Sequence, residues 1–293
     1  MSLIESTLGK VRRAAGAGTK PEPLPARVAV PAEPLAEPPA PLPDYEHRRV
    51  AVDMAGLRAA GHLPDPAEEP RFSEHFRRIK RAVVTKATAP GAAADARLVA
   101  VTSPLPGDGK TFTCVNLALS LARERDLSVL LVDADLHKSQ VTQDLGLEDQ
   151  PGMVDALLDE SRDAESLVLR TDIPGLELLP AGRSVEEAPE LLASARMTQI
   201  ISRLVARHPR RVVLLDCAPV LAASEVRSLM LTPGQVLLVV RAGQTPQHAI
   251  LEAIADLDPQ RFQGLILNDA RRGAAAYYGY GYYGARDDAS RAD

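Results

Sequence analysis

The chain of 293 residues has no tryptophan, only four phenylalanines, and a single tyrosine, Tyr45, outside its tail. A core therefore has to come from the aliphatic part of its 45% hydrophobic fraction. Cysteine is almost as scarce. Cys114 and Cys217 both lie inside apolar segments, where they read as small hydrophobes rather than a disulfide, which fits a reducing cytoplasm. No apolar run reaches the roughly 18 residues of a membrane-spanning helix, and the N-terminus lacks the apolar core of a signal peptide. Charge of one sign is also lacking: a net -5 argues against a dedicated nucleic-acid binder. Aromatics do concentrate in one place, at Tyr277, Tyr278, Tyr280, Tyr282 and Tyr283, separated only by Gly279 and Gly281. That string cannot build a core of its own, because glycine raises the cost of ordering it. It matters most if something acts on the phenols.

Composition divides the rest. Residues 1–18 read as a short amphipathic helix with Leu3, Ile4, Leu8 and Val11 on one side, either frayed or docking to a surface. Nine of the 24 prolines fall in 21–43, so 19–48 reads as an extended, disordered linker. Residues 49–69 form a helical lead-in closed by Gly61, and the main domain spans 70–273 with a flexible tail at 274–293. From Arg71 to Lys86, Phe72, Phe76, Ile79 and Val83 give one apolar helical stripe. The charges Glu74, Arg77, Arg78, Lys80 and Arg81 fill the remaining surface.

Strand and helix then alternate. Strands are expected at 97–103, 128–133, 176–180, 211–216, 236–241 and 263–268, with helices at 110–124 and 189–207 and a further one capped by Thr245 with Pro246 at its first helical position. The strands are continuous Val/Leu/Ile runs, as in strands buried on both faces of a parallel sheet. The expected fold is an α/β, doubly wound, mostly parallel sheet with helices on both faces.

The first strand leads into Ser103-Pro104-Leu105-Pro106-Gly107-Asp108-Gly109-Lys110-Thr111. A phosphate cradle needs small residues so that backbone N–H groups can approach oxygens, and Gly107 and Gly109 supply them. It also needs a cation and a hydroxyl for Mg²⁺, here Lys110 and Thr111, at a helix start that favours anions. Pro104 replaces the first glycine of the strict pattern. Two acids, Asp133 and Asp135, end one apolar strand, and Asp216 ends another. Ligands of open α/β sheets bind outside the carboxyl ends of the strands, so all three should face Lys110. A lone Asp at a strand end is usually a turn or cap; three beside a phosphate loop favour Mg²⁺ binding and proton abstraction.

Together the 103–111 loop, Asp133-Ala134-Asp135, Asp216-Cys217-Ala218-Pro219, the segment from Pro189 to Met197 and the tyrosine tail resemble the bacterial tyrosine kinases of polysaccharide export, across roughly 70–284. That family sits among the deviant P-loop ATPases. The resemblance implies ATP and Mg²⁺ as cofactors, with Pro106, Gly107, Asp108, Gly109, Lys110, Thr111, Phe112 and Asn268 around the nucleotide. It implies Thr111, Asp135 and Asp216 as metal ligands, Asp133 as the base, and the five tail tyrosines as phosphoacceptors. Glu74, Arg77 and Lys80 look like the family's ring-building helix, with Lys in place of the last Arg. His137 replaces the Arg of the second motif, and Asp-Cys-Ala-Pro departs from Asp-x-Pro-Pro. The start Met-Ser-Leu-Ile-Glu is similar to the exosortase-associated tyrosine autokinases. This implies a cytoplasmic chain recruited to the inner membrane face by a transmembrane chain-length determinant protein, with a cognate tyrosine phosphatase as a further partner and no nucleic acid. The product would be tyrosine phosphate that regulates exopolysaccharide chain length, polymerisation and export. Nine residues separate Asn268 from Tyr277, at most ~30 Å extended, which allows transfer in cis or in trans. Two other readings stand beside this one: a partition-type switch ATPase, though the early loop carries no second lysine, and a non-catalytic nucleotide-binding assembly factor with a sticky tail.

Overall fold

Every second residue of the apolar runs buries toward one face of a sheet and the next toward the other. The computed structural model describes residues 45–222 and 224–270. Its strands are β1 (Arg49–Val50), β2 (Leu98–Thr102), β3 (Ser128–Ala134), β4 (Leu169–Thr171), β5 (Leu176–Leu179), β6 (Arg211–Cys217), β7 (Gln235–Arg241) and β8 (Phe262–Asn268). They form one sheet in the order β1-β4-β5-β3-β6-β2-β7-β8. All neighbours are parallel except β4 and β5. Leu98, Leu130, Val213 and Leu238 join one apolar cluster, while Val99, Val129, Val212 and Leu237 join the other.

Helices cover both clusters. On one face lie α1 (Met54–Ala59), α2 (Glu69–Ala87) and α3 (Lys110–Leu121), through Leu57, Phe76 and Cys114. On the other lie α5 (Met153–Leu158), α6 (Ala188–Leu192), α7 (Ala195–Arg207), α8 (Ser224–Leu229) and α9 (Gln247–Ala255). The short α4 (Gln140–Asp144) follows β3. This is the doubly wound architecture expected from the alternation. Cys114 and Cys217 are free and buried, and no helix among the described residues is long and apolar enough to cross a membrane.

Several local expectations change. The sheet begins ahead of Pro70, because β1 pairs with β4 and Leu57 and Leu63 are buried. The helix expected over 189–207 is two helices: Ser194 is extended, and its hydroxyl caps α7 by accepting from the Met197 N–H. Thr245 does not cap α9; Pro246 occupies that position, and the Thr245 hydroxyl donates to Asp108 instead. Strand β4 carried no apolar alternation to reveal it. The expected N-terminal helix, nearly all of the proline-rich linker and the tyrosine tail lie outside the described residues.

Candidate active site

Parallel pairing brings the acids together. Asp133 and Asp216 are register partners on adjacent β3 and β6, and Val101, at the end of β2, pairs with Asp216 on the other side. The loop leaving β2 therefore runs over these carboxylates before it enters α3. Gly107 and Gly109 both adopt left-handed conformations, φ 87° and 93°, which L side chains rarely tolerate. Any Cβ on Gly109 would also collide with the Asn268 amide.

Lys110 and Thr111 open α3 and point into the acids. Lys110 Nζ donates to Asp135 Oδ2 at 2.8 Å and lies 3.9 Å from Asp216 Oδ1. Thr111 Oγ1 donates to Asp216 Oδ2 at 2.8 Å. Burial works to lower the Lys110 pKa, but Asp216 and Asp135 outweigh it and hold the ammonium charged well above its usual range. Burial pushes Asp216 up, against the pull of Lys110 and Thr111. Burial, then repulsion from Asp216, raises Asp133 to about 7.

Asp133 is fully buried. Its Oδ2 accepts both the N–H and the hydroxyl of Thr142, at 2.9 and 2.7 Å, while Oδ1 takes only the Asp135 N–H at 3.3 Å. The Thr142 hydroxyl in turn accepts from Ala181 N–H. Thr142 carries no motif, and only the packing of α4 under the strand ends reveals it.

The remaining expected residues divide by what they touch. Pro106, Gly107, Gly109, Phe112 and Asn268 line a cleft of 570 Å³ above the acids, together with Lys138. Lys138, rather than His137, lines it, and with Lys110 and Arg241 it makes three cationic residues around the cleft. The Phe112 ring meets Phe72 edge-on at 5.7 Å, tying the loop helix to α2. Asp108 is a brace: its carboxylate accepts from Leu105 N–H and the Thr245 hydroxyl, and its carbonyl accepts from the Asn268 amide. Glu74, Arg77 and Lys80 are not part of this cluster. They line a separate hollow on α2, where Arg77 pairs with Glu74 and Lys80 with Glu124.

The donors fit Mg²⁺. One hydroxyl and two carboxylates are hard oxygen ligands, and Mg²⁺ takes few protein ligands when phosphates complete its shell. Asp216 Oδ1 is buried with no hydrogen-bond partner, an orphan that a cation would satisfy. One lysine also faces three carboxylates, an imbalance that favours a further positive charge.

Residues 96–260 match the model of the AAA domain family. The chain is 35% identical over 198 residues to a putative tyrosine-protein kinase EpsB of Ralstonia nicotianae, covering 63% of this chain and 26% of that protein. It is 31% identical over 192 residues to the tyrosine-protein kinase YwqD of Bacillus subtilis, covering 65% of this chain and 78% of YwqD. The chain belongs to the bacterial tyrosine kinase family. The crystal structure of the VpsO kinase domain is similar to this member of the family with a TM-score of 0.55 and 33% identity, covering 68% of this chain and 99% of that one. The chain spans about a quarter of the length of EpsB.

Proposed function

We propose that this chain is a protein-tyrosine autokinase that uses Mg-ATP to phosphorylate its own tail cluster, Tyr277, Tyr278, Tyr280, Tyr282 and Tyr283. One observation carries the reading: Lys110 and Thr111 meet Asp135 and Asp216 under a glycine loop, in a chain that also holds five clustered tyrosines. Lys110 and the loop N–H groups hold the β- and γ-phosphates, and Asn268 lies on the nucleotide side. Thr111, Asp135 and Asp216 hold Mg²⁺, which offsets phosphate charge when bound. Asp133 takes the phenolic proton on Oδ1, the oxygen that Thr142 leaves free. A pKa of about 7 suits a base at neutral pH. The phenol oxygen gains the γ-phosphoryl group as ADP leaves, and its proton ends on Asp133.

Transfer in trans within a ring built on Glu74, Arg77 and Lys80 is the arrangement we favour. A membrane chain-length determinant protein would recruit and activate the ring, and the modification would regulate exopolysaccharide length and export. Each phosphotyrosine adds about -1.5 to -2 charges, so the ring should loosen after Mg-ATP treatment; an unchanged size by sizing chromatography sinks that part. The central test is mass spectrometry of the tail after Mg-ATP. Tyrosine phosphate should be lost in Lys110→Met and in the variant with all five tail tyrosines changed to phenylalanine. Phosphate release without tyrosine labelling overturns the kinase reading in favour of a switch ATPase.

A further inference from the structure

Strand β8 ends the sheet, and among the described residues only β7 pairs with it. Its sequence, Phe-Gln-Gly-Leu-Ile-Leu-Asn, carries no charge and no proline, the devices that usually blunt an open edge. Leu265 and Leu267 are 39% and 59% exposed. They are register partners of Leu238 and Val240, and Leu238 belongs to the cluster under α9, so both leucines face that side. On α9 itself Leu251 is 45% exposed. The Asn268 carbonyl accepts from Ala242 N–H on the β7 side. In an alternating strand, the N–H and C=O of Leu267 and Leu265 therefore point to the open edge.

The chain turns immediately afterwards. Asp269 takes a left-handed φ of 54°, and its carboxylate is held by Arg241 Nε at 3.0 Å. Residues 269–276 follow, with Gly273 among them, and then the tail cluster 277–283, which has the same seven-residue length as β8. Within it Tyr278, Tyr280 and Tyr282 alternate with Gly279 and Gly281, a period of two that places three phenols on one side of an extended segment.

We propose that the open edge of β8 is the resting dock of the chain's own tail, with residues 277–283 returning antiparallel along it. Tyr278 stands opposite Leu267 and Tyr280 opposite Leu265 as hydrogen-bonded pairs, so the two rings cover the two exposed leucines. Gly279 and Gly281 fall opposite Ile266 and Gly264 on the other face. Docking does not depend on the kinase reading. One consequence rests on it: phosphate on Tyr278 or Tyr280 sets a double charge against leucine and releases the strand.

The test is backbone hydrogen exchange on the full chain carrying Lys110→Met, which keeps the tail unmodified. Adding Tyr278→Pro and Tyr280→Pro removes both donor N–H groups. The Leu265 and Leu267 amides should then exchange at least about tenfold faster, with β7 amides unchanged. Equal exchange with and without the prolines overturns the proposal. So does protection that grows with protein concentration, which marks a second copy on the edge. As an independent check, Leu267→Cys with Tyr278→Cys should form a disulfide within one chain at low concentration, since opposed residues lie at disulfide distance. Only interchain product, or none, counts against it. If wild-type chain treated with Mg-ATP shows no tyrosine phosphate, the kinase reading fails while these results still stand.

Discussion

Strand β6 has a buried charge cluster at each end, and the two are built in opposite ways. At its start, Arg211 forms a two-pronged pair with Glu165 at 2.7 and 2.8 Å and reaches Glu177 at 2.9 Å. Arg97 ties this end to three carbonyl oxygens, those of Val205, His208 and Arg211. Burial works to raise the Glu165 pKa, yet Arg211 and His208 pull it below its ordinary value. At the far end of the strand, Asp216 joins Asp133 and Asp135 against one lysine. There the same burial wins, and both Asp133 and Asp216 are raised. A balanced cluster clamps the fold together. An unbalanced one costs stability. Each end keeps one buried atom without a hydrogen-bond partner, Arg211 Nε at the balanced end and Asp216 Oδ1 at the unbalanced one; only the second is an acceptor that a cation would satisfy.

The sharpest way to break the comparison is to unbalance the balanced end. Arg211→Met leaves Glu165 buried without its main partner and should cost about 3–5 kcal/mol in urea unfolding. A loss near zero would show that the cluster is not structural. Next comes the support under Asp133. Thr142→Val should cost about 1.5–3 kcal/mol, because a hydroxyl bond to a carboxylate is lost, while Thr142→Ser restores it.

A smaller effect of opposite sign is expected at the unbalanced end. Asp216→Asn relieves repulsion, so the metal-free protein should be about 1 kcal/mol more stable and lose the Mg²⁺-dependent rise in melting temperature. Destabilisation together with retained Mg²⁺ response would contradict the contrast. The finest test is pH. Asp133 is raised from 3.8 to about 7, so its contribution to stability is fully present below its unfolded value and is lost as pH rises through about 7. Glu165 has the reverse sign: its contribution is present above its ordinary value of 4.5 and fades as pH falls through its lowered one. Melting curves of Asp133→Asn should therefore flatten between about pH 4 and 7 and still fall in stronger acid.

Much of the site was legible because its chemistry is local. Gly107, Gly109, Lys110 and Thr111 lie within five residues, and a cradle of backbone N–H groups requires that compactness. Asp133, Asp135 and Asp216 could be placed because an apolar run ending in acid marks the carboxyl edge of a parallel strand. Thr142 was not legible, since a threonine in a polar stretch says nothing until α4 carries it under Asp133. Asp108 lay in the motif yet serves as a brace, because the Thr245 hydroxyl reaches it from 137 residues away. The break at Ser194 did leave a mark, because the buried Leu192 and Met197 are five residues apart and out of step with a single helical stripe, but reading 189–207 as one run passed over it.

The sequence alone determined the alternation of buried strands and amphipathic helices, the phosphate-binding loop and the identity of its acids. These follow from side-chain periodicity and from residues close along the chain. Tertiary structure alone decided which acid is locked by Thr142, which oxygen of Asp216 stays unsatisfied, that Lys138 rather than His137 lines the cleft, and that β8 is an open edge. Each of these depends on which strands become neighbours, a matter of burying both faces of the sheet at once rather than of any single segment.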